Sequence, residues 1–456
     1  MESLHPSDTG LAEWAQRLHE PEGLKENHDH FWGNDPSILC SSSAVEDFIS
    51  GTGEDIFTEA IIPLLLSATQ EVILVTCFWA AGSSLNKFSS ALAELSRKVI
   101  SQGLPKIRVR LCFSSRSLRQ KLFHTTSPKG ESYPPSKWVS KLGLPSPDLL
   151  QGLDVQIKSV FFLPFSVLHP KFVILDRQVA LLPSCNVSFE LWLECCLKVS
   201  GPVVDKIVAF WAETWEADKN SRSEDIALQI HPIDPMTHVQ STLLPSQHHR
   251  APRFRPLFLQ APAPPQTPLN TYLLHAISNA KKSIDITTPN ITCGAVISAL
   301  LEALARGVDV HLMTCRRMML FEQLVTAGTI TELCVWRMAR QHRELLRKQG
   351  SPGVQKHWSR SIQRMADIEH GRTGIGRLHV SYFKPQFGKR AVKCHIKCSI
   401  VDKTVVILGS GNMDRASWFT SQELGIALEG EDVVRRVLME LNEARSGSFE
   451  DWYNPT

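Results

Sequence analysis

The chain has 456 residues, a formal net charge of only +3, and a composition 43% hydrophobic and 21% charged. That length is too great for one ordinary core and implies two or more. No apolar stretch is long enough to span a bilayer, and no basic segment followed by an apolar run opens the chain, so neither a spanning helix nor a secretory signal is expected.

In chain order, residues 1–40 are polar and read as an irregular N-terminal extension. A first half is expected over 41–216. It contains Ala68-Thr-Gln-Glu-Val72-Ile-Leu-Val-Thr76, a helix end entering a strand, then a helix around Ser90-Ala-Leu92 and a strand at Ile107–Leu111. Residues 217–268 hold nine Pro from Pro232 onward, a composition of linker or extended wrap, not of core. A second half, 269–456, repeats the pattern: Ala280-Lys-Lys-Ser-Ile284-Asp-Ile-Thr-Thr288, a helix around Ser298-Ala-Leu300, and a strand at Val308–Leu312. Strand–helix–strand order predicts a mainly parallel α/β arrangement in each half.

A basic insertion spans 336–393, where Trp336–Lys393 carries 14 Lys/Arg against three Asp/Glu, and Arg337–Lys348 reads as a basic helix. An anionic membrane surface or a nucleic-acid backbone suits such a segment; a merely solvated helix face is the plain alternative. Trp192, Trp336, Trp358 and Trp418 are candidates for lipid contact, although most such residues are core. The 11 Cys show no metal-type pairing, even where Cys394 and Cys398 flank a His-Lys pair, and sit mostly in apolar stretches. Reduced thiols suggest an intracellular protein, cytoplasmic or peripheral on a membrane.

The most specific signal is an octapeptide present once in each half: His169-Pro-Lys171-Phe-Val-Ile-Leu-Asp176 and His395-Ile-Lys397-Cys-Ser-Ile-Val-Asp402. An Asn follows each His by 17 residues, Asn186 and Asn412. On a strand, residues i and i+2 share a face, so each His projects with its Lys. The Asp sits at a turn into a second apolar strand. If Leu175 pairs with Val179, and Val401 with Val405, the hairpin returns each Asn beside its His. Ser184 and Ser410 lie two residues earlier on the same return strands and join Asn186 and Asn412 as phosphate-binding candidates.

Two imidazoles, two ammonium groups and two amides suit a phosphodiester. One His can attack phosphorus while the other protonates the leaving oxygen, through a phosphohistidine. The Lys and Asn donors can bind non-bridging oxygens as charge develops. Neither metal nor cofactor is required, because the lysines supply positive charge. Aligning the strands that follow pairs Glu194 with Glu423 as carboxylates able to fix a His tautomer, with Glu190 a rival to Glu194. Asp176 and Asp402 belong to the repeated catalytic pattern, with a structural turn role as the competing reading.

These residues closely resemble the HKD motifs of the phospholipase D superfamily, His-x-Lys-x4-Asp followed by Gly-Ser-x-Asn. Gly409-Ser410-Gly411-Asn412 matches in full, and its continuation through Asp414-Arg415-Ala-Ser417 to Glu423 resembles the bacterial-type cardiolipin synthase and phospholipase D branch. The first copy departs from it, with Pro183-Ser184-Cys185-Asn186, Pro170 between His and Lys, and Glu194 25 residues after its His instead of 28. The resemblance implies an α/β fold of two pseudo-symmetric α/β/α sandwich halves with one active site at their interface, an internal pseudo-dimer in a monomer. It also implies that His169 attacks, that His395 protonates the leaving group, and that Lys171, Lys397, Asn186 and Asn412 hold the phosphate. The expected function is a metal-independent phosphodiesterase or phosphatidyltransferase acting on phospholipids. A nuclease using the same chemistry is the alternative, with nucleic acid as the partner.

Overall fold

The computed structural model describes residues 9–27, 29–33, 35–117, 120, 124–125, 127, 129–161, 166–216, 238–247, 253, 262–349 and 374–455. In chain order the strands of the first half are β1 (Cys40–Thr52), β2 (Glu71–Phe78), β3 (Ile107–Ser115), β4 (Glu131–Ser132), β5 (Leu153–Ser159), β6 (Phe172–Leu175), β7 (Val179–Pro183) and β8 (Trp192–Ser200). After β9 (His238–Ser246) come β10 (Ser283–Thr287), β11 (Asp309–Thr314), β12 (Leu378–Phe383), β13 (Lys393–Cys394), β14 (Cys398–Val401), β15 (Val405–Gly409), β16 (Glu423–Glu429) and β17 (Phe449–Tyr453).

Strand pairing runs β5-β3-β2-β6-β7-β8 in the first half and β12-β11-β10-β14-β15-β16 in the second, the same order twice. The β2, β3, β5 and β10, β11, β12 sets are parallel, as strand–helix–strand order predicts, whereas each motif hairpin is antiparallel. The two sets join through β8-β1-β9-β16 into one mixed sheet. The expected helices are Ser83–Ser101 and Gly294–Ala305.

Helices cover both faces. The Ser83–Ser101 helix packs its Leu85, Phe88, Leu92 and Leu95 over β2, β3 and β5 in one apolar cluster. Residues of the helices Pro268–Asn279, Gly294–Ala305 and Thr331–Gln349 do the same over β10–β12 in a second. On the opposite face, the helices Pro202–Trp215 and Glu431–Arg445 share a third cluster with β6–β8 and β14–β16. That shared layer makes one body of both motif hairpins.

Two stretches differ from expectation. Within 1–40, Thr9–Leu18 and Pro21–Asn27 are helical, and Trp14 and Trp32 are 1% and 2% exposed. The Trp14 indole donates to Thr271 Oγ1 at 3.1 Å, so this segment is anchored to the second half despite its polar composition. Within the Pro-rich 217–268, β9 is a central strand with Leu243 and Leu244 fully buried. Its single Pro245 sits near the strand end, where Pro in a strand is tolerated. The composition of the whole stretch concealed an ordinary strand. Of the basic insertion, 336–349 lies in the helix Thr331–Gln349, while 350–373, with Trp358, lies outside the described residues.

Candidate active site

The motif hairpins pair in the expected register, Leu175 with Val179 and Val401 with Val405. The turn residues Asp176, Arg177, Asp402 and Lys403 all have positive φ, 48° to 59°, within three-residue loops, a left-handed pair that suits the right-handed twist of the flanking strands. Each Asp carboxylate also serves the neighbouring strand. Asp176 accepts from the backbone N–H groups of Thr69, Gln70 and Glu71 and from Thr69 Oγ1, at 2.7 to 2.9 Å. Asp402 accepts from the N–H groups of Lys281, Lys282 and Ser283, at 2.6 to 3.0 Å. Each lies seven positions along the strand from its His, roughly 20 Å. Asp176 and Asp402, grouped by the repeated pattern with the catalytic residues, tie the hairpin turn to the start of β2 or β10.

At the other end of each hairpin, the His strand lies beside the Glu strand of the opposite half. Leu168 bridges Gln422, and the His169 N–H donates to the Gln422 carbonyl at 3.0 Å. β13 pairs with Trp192–Leu193, and the His395 N–H donates to the Leu193 carbonyl at 2.8 Å. The carboxylates therefore cross. Glu423 meets His169 Nδ1 at 2.9 and 3.0 Å, and Glu194 meets His395 Nδ1 at 2.9 and 3.1 Å. Glu194, not Glu190, occupies this place.

Burial opposes the charge on both glutamates, yet the facing His and the hydrogen bonds around them hold both carboxyls below the usual carboxylate range. An ionised carboxylate only accepts, so each Nδ1 carries its proton and each Nε2 keeps a lone pair. Burial outweighs the carboxylate on the imidazoles. It lowers His169 and takes His395, 3% exposed, down to about 3.

Ser184 Oγ donates to Glu194 Oε2 and Ser410 Oγ to Glu423 Oε2, both at 2.5 Å. Each serine oxygen also accepts an N–H of the Glu strand, from Cys195 at 2.9 Å or Leu424 at 3.0 Å. The two hydroxyls, expected to meet phosphate, instead lock the carboxylates to the hairpins. Lys171 Nζ donates to the His169 carbonyl at 2.8 Å and Lys397 Nζ to the His395 carbonyl at 2.6 Å, so each ammonium is held beside its own His. Burial takes Lys397 down to about 7, with the Lys171 charge acting in the same direction and Glu194 opposing.

The asparagines are anchored differently. Asn186 Oδ1 accepts from Phe78 N at 3.2 Å and Thr76 Oγ1 at 3.4 Å. Asn412 Nδ2 donates to Asp414 Oδ2 at 3.0 Å, while its Oδ1 is buried without a partner among the described residues. Asp414 also caps the helix Arg415–Phe419 through Ser417 N. Trp192 lies against His395, ring centroids 4.7 Å apart, whereas Trp418 is buried core and Trp336 is exposed. Sequence reasoning missed Asp414, Thr76 and the contact between Cys315 Sγ and Cys394 beside His395. The spacing Asn-x-Asp ahead of a short helix was the available signal for Asp414.

Residues 273–445 match the family described as cardiolipin synthase, phospholipase D-like domain. That match covers the second half of the chain and takes in His395, Lys397, Asn412 and Glu423. Cardiolipin synthase A of Buchnera aphidicola subsp. Baizongia pistaciae is 19% identical over 331 residues, 69% of this chain and 55% of that protein. The chain thus spans about half the length of the curated relative it matches. The crystal structure of phosphatidylserine synthase from Haemophilus influenzae Rd KW20 superposes with a TM-score of 0.56 over 91% of this chain and 90% of that one. At 13% identity that likeness is one of fold. No described helix is long and apolar enough to cross a membrane.

Proposed function

We propose that this protein is a phosphodiesterase or phosphatidyltransferase acting on phospholipids without a metal, through a phosphohistidine. The observation that carries the reading is the pair of crossed His–Glu contacts, each with a lysine held on the same strand. In the first step His169 Nε2 attacks phosphorus, the bond to the leaving oxygen breaks, and that oxygen takes a proton from His395 Nε2. In the second, water or an alcohol gives a proton to His395 and attacks phosphorus, and the P–N bond breaks. Lys171 and Lys397 neutralise the non-bridging oxygens, and the Asn186 amide, held through its oxygen, has its N–H groups available to them.

Burial disfavours a protonated His395, and an anionic substrate supplies the opposing charge. Two carboxylates roughly balance two ammonium groups, so an entering phosphodiester anion is best compensated by a proton on His395. Binding and activation of the acid are then one event.

The reading is tested with labelled phospholipids and oligonucleotides, each with and without a primary alcohol, on wild type and His169→Asn. Release of phosphatidic acid, or formation of a phosphatidylalcohol, that His169→Asn abolishes is the expected result. The basic helix Thr331–Gln349 favours the nuclease alternative, and cleavage of oligonucleotides alone would replace the lipid reading with it.

A further inference from the structure

The helix Leu320–Ala327 is built inside out. Its buried side chains are Gln323 and Ala327, and Gln323 hydrogen-bonds to Asn290, Met318 O and Thr331. Its outward face carries Leu320, Phe321, Leu324 and Val325, at positions i, i+1, i+4 and i+5, with Phe321 80% exposed. A helix on a soluble surface ordinarily turns such residues inward. The start of the next helix, Thr331–Gln349, exposes Leu333 and Trp336. Seven of the 18 exposed large apolar side chains among the described residues fall between Met319 and Trp336. That concentration separates the patch from the scatter of single apolar residues found on any surface.

Two observations fix what covers it. The first is charge. Arg316 and Arg317 precede the patch, and Arg337, Arg340 and Arg343 follow Trp336 on the exposed side of its helix, with Arg340 against the Trp336 ring. Apolar side chains bordered by cations match a lipid–water interface whose headgroups are anionic.

The second is position. The inside-out helix packs against Arg415–Phe419, which follows Asn412, and the segment leading into it places Cys315 on the backbone of Cys394, one residue before His395. Phe189 and Leu191 are exposed on the other half, between Asn186 and Trp192, the residue lying against His395. Exposed apolar side chains of both halves thus lie on segments that adjoin, in the chain or by packing, those that carry the site.

We infer that helix Leu320–Ala327 and the start of helix Thr331–Gln349 are the surface that docks this protein on an anionic lipid bilayer, with the catalytic centre facing the headgroups. The inference deepens the phospholipid reading above, but its test does not depend on turnover. Cosedimentation is measured with vesicles of phosphatidylcholine alone and of phosphatidylcholine with phosphatidylglycerol. Wild type should bind the mixed vesicles, and Phe321→Glu/Leu324→Glu should weaken that binding by about a hundredfold, since two apolar side chains no longer enter the interface. Arg337→Gln/Arg340→Gln should weaken it by about tenfold, and only on the anionic vesicles. Met439→Glu, at a residue 67% exposed on the helix Glu431–Arg445, is the control and should bind as wild type.

Unchanged binding by Phe321→Glu/Leu324→Glu, or no vesicle binding by wild type, overturns the inference. So does a dimer in sedimentation velocity that Phe321→Glu dissociates while vesicle binding persists, which would make the patch a contact between copies. Loss of oligonucleotide binding in Arg337→Gln/Arg340→Gln with vesicle binding intact would overturn it in favour of nucleic acid. Docking without lipid turnover removes the phospholipid reading and leaves the surface standing. Turnover of a short-chain monomeric lipid that is unaltered in Phe321→Glu/Leu324→Glu, without docking by wild type, does the reverse.

Discussion

In the second half, Leu269 packs onto two glycines. A Cβ on Gly425 would lie 2.8 Å from Leu269 Cδ1, and one on Gly411 would lie 3.2 Å from its Cδ2. In the first half the positions paired like Gly409 and Gly425 are Pro183 and Cys196, and bulk has moved across the contact: Cys185 packs onto Gly53. The bulk that Cys185 carries at the free position of the pattern, where the second copy has Gly411, is therefore matched by a small residue on the facing element. Pro170 removes the backbone N–H that Ile396 keeps at the equivalent place beside the sulphur of Cys394, and Leu168 stands in the position of Cys394 in the first half. The halves differ in packing and agree in chemistry: both keep the Ser–Glu bond of 2.5 Å and the lysine on the His carbonyl. What the comparison teaches is that the departures of the first copy repack its support without touching its reactive groups.

The largest expected effect breaks the equivalence of the two histidines. His169→Asn and His395→Asn should each lower kcat by roughly 10⁴-fold or more on a natural diester. A p-nitrophenolate leaving group needs little protonation, so His395→Asn should still release about one equivalent of p-nitrophenol in a burst before the P–N bond is slowly broken, whereas His169→Asn should show no burst. The opposite pattern of bursts would exchange their roles. Next come the crossed carboxylates. Glu194→Gln should cost on the order of 10²-fold and keep the burst with the good leaving group, as for His395, whereas Glu423→Gln should slow the burst itself. A Glu194→Gln variant behaving like His169→Asn would mean that the carboxylates do not act across the halves.

A smaller effect separates the lysines. Lys397 is lowered to about 7 by burial, so it loses its proton above that pH in the free protein. A phosphate mimic such as tungstate selects the charged form, and its affinity should fall by about tenfold per pH unit above 7. Calorimetry should also show proton uptake on binding there, and Lys397→Met should bind weakly and take up fewer protons, with a shallower slope. A flat profile in wild type would place the Lys397 proton elsewhere. The smallest catalytic effect is expected at the turns. Asp176→Asn and Asp402→Asn should each cost about 1.5–3 kcal/mol of stability, the value of hydrogen bonds to a charged acceptor, and leave kcat within a factor of a few. A loss of kcat with an unchanged unfolding midpoint would return these residues to the reaction.

The pH dependence of stability carries a sign of its own. The folded pKa of His395, about 3, lies below its ordinary 6.5, so the unfolded chain binds the extra proton between those values. Stability should therefore fall as pH drops from about 6.5 toward 3. His395→Asn should flatten that fall, as read from the unfolding midpoint against pH.

Much of the site was legible in the residues themselves. The repeated His-x-Lys places two side chains on one face, and the shared His-to-Asn interval follows from a hairpin with a three-residue loop, because both are consequences of strand geometry over a short span. Composition misled where it averaged over unlike segments, as with β9 inside a Pro-rich stretch and Trp14 in a polar terminus. The roles of Ser184, Ser410, Asp176 and Asp402 were not legible, because a hydroxyl or carboxylate near a His in sequence has several partners within reach.

What the sequence determined by itself is local: two hairpins, each carrying its His, Lys and Asn, because backbone periodicity sets their relative places within the span of one hairpin. Which glutamate faces which histidine was decided only by the tertiary structure. Leu168 meets Gln422, and Cys394 meets Leu193, because β1 and β9 join the two sets of strands and the shared helical layer buries both hairpins. Those contacts join opposite halves of the chain, and no local propensity encodes a pairing across so long a loop.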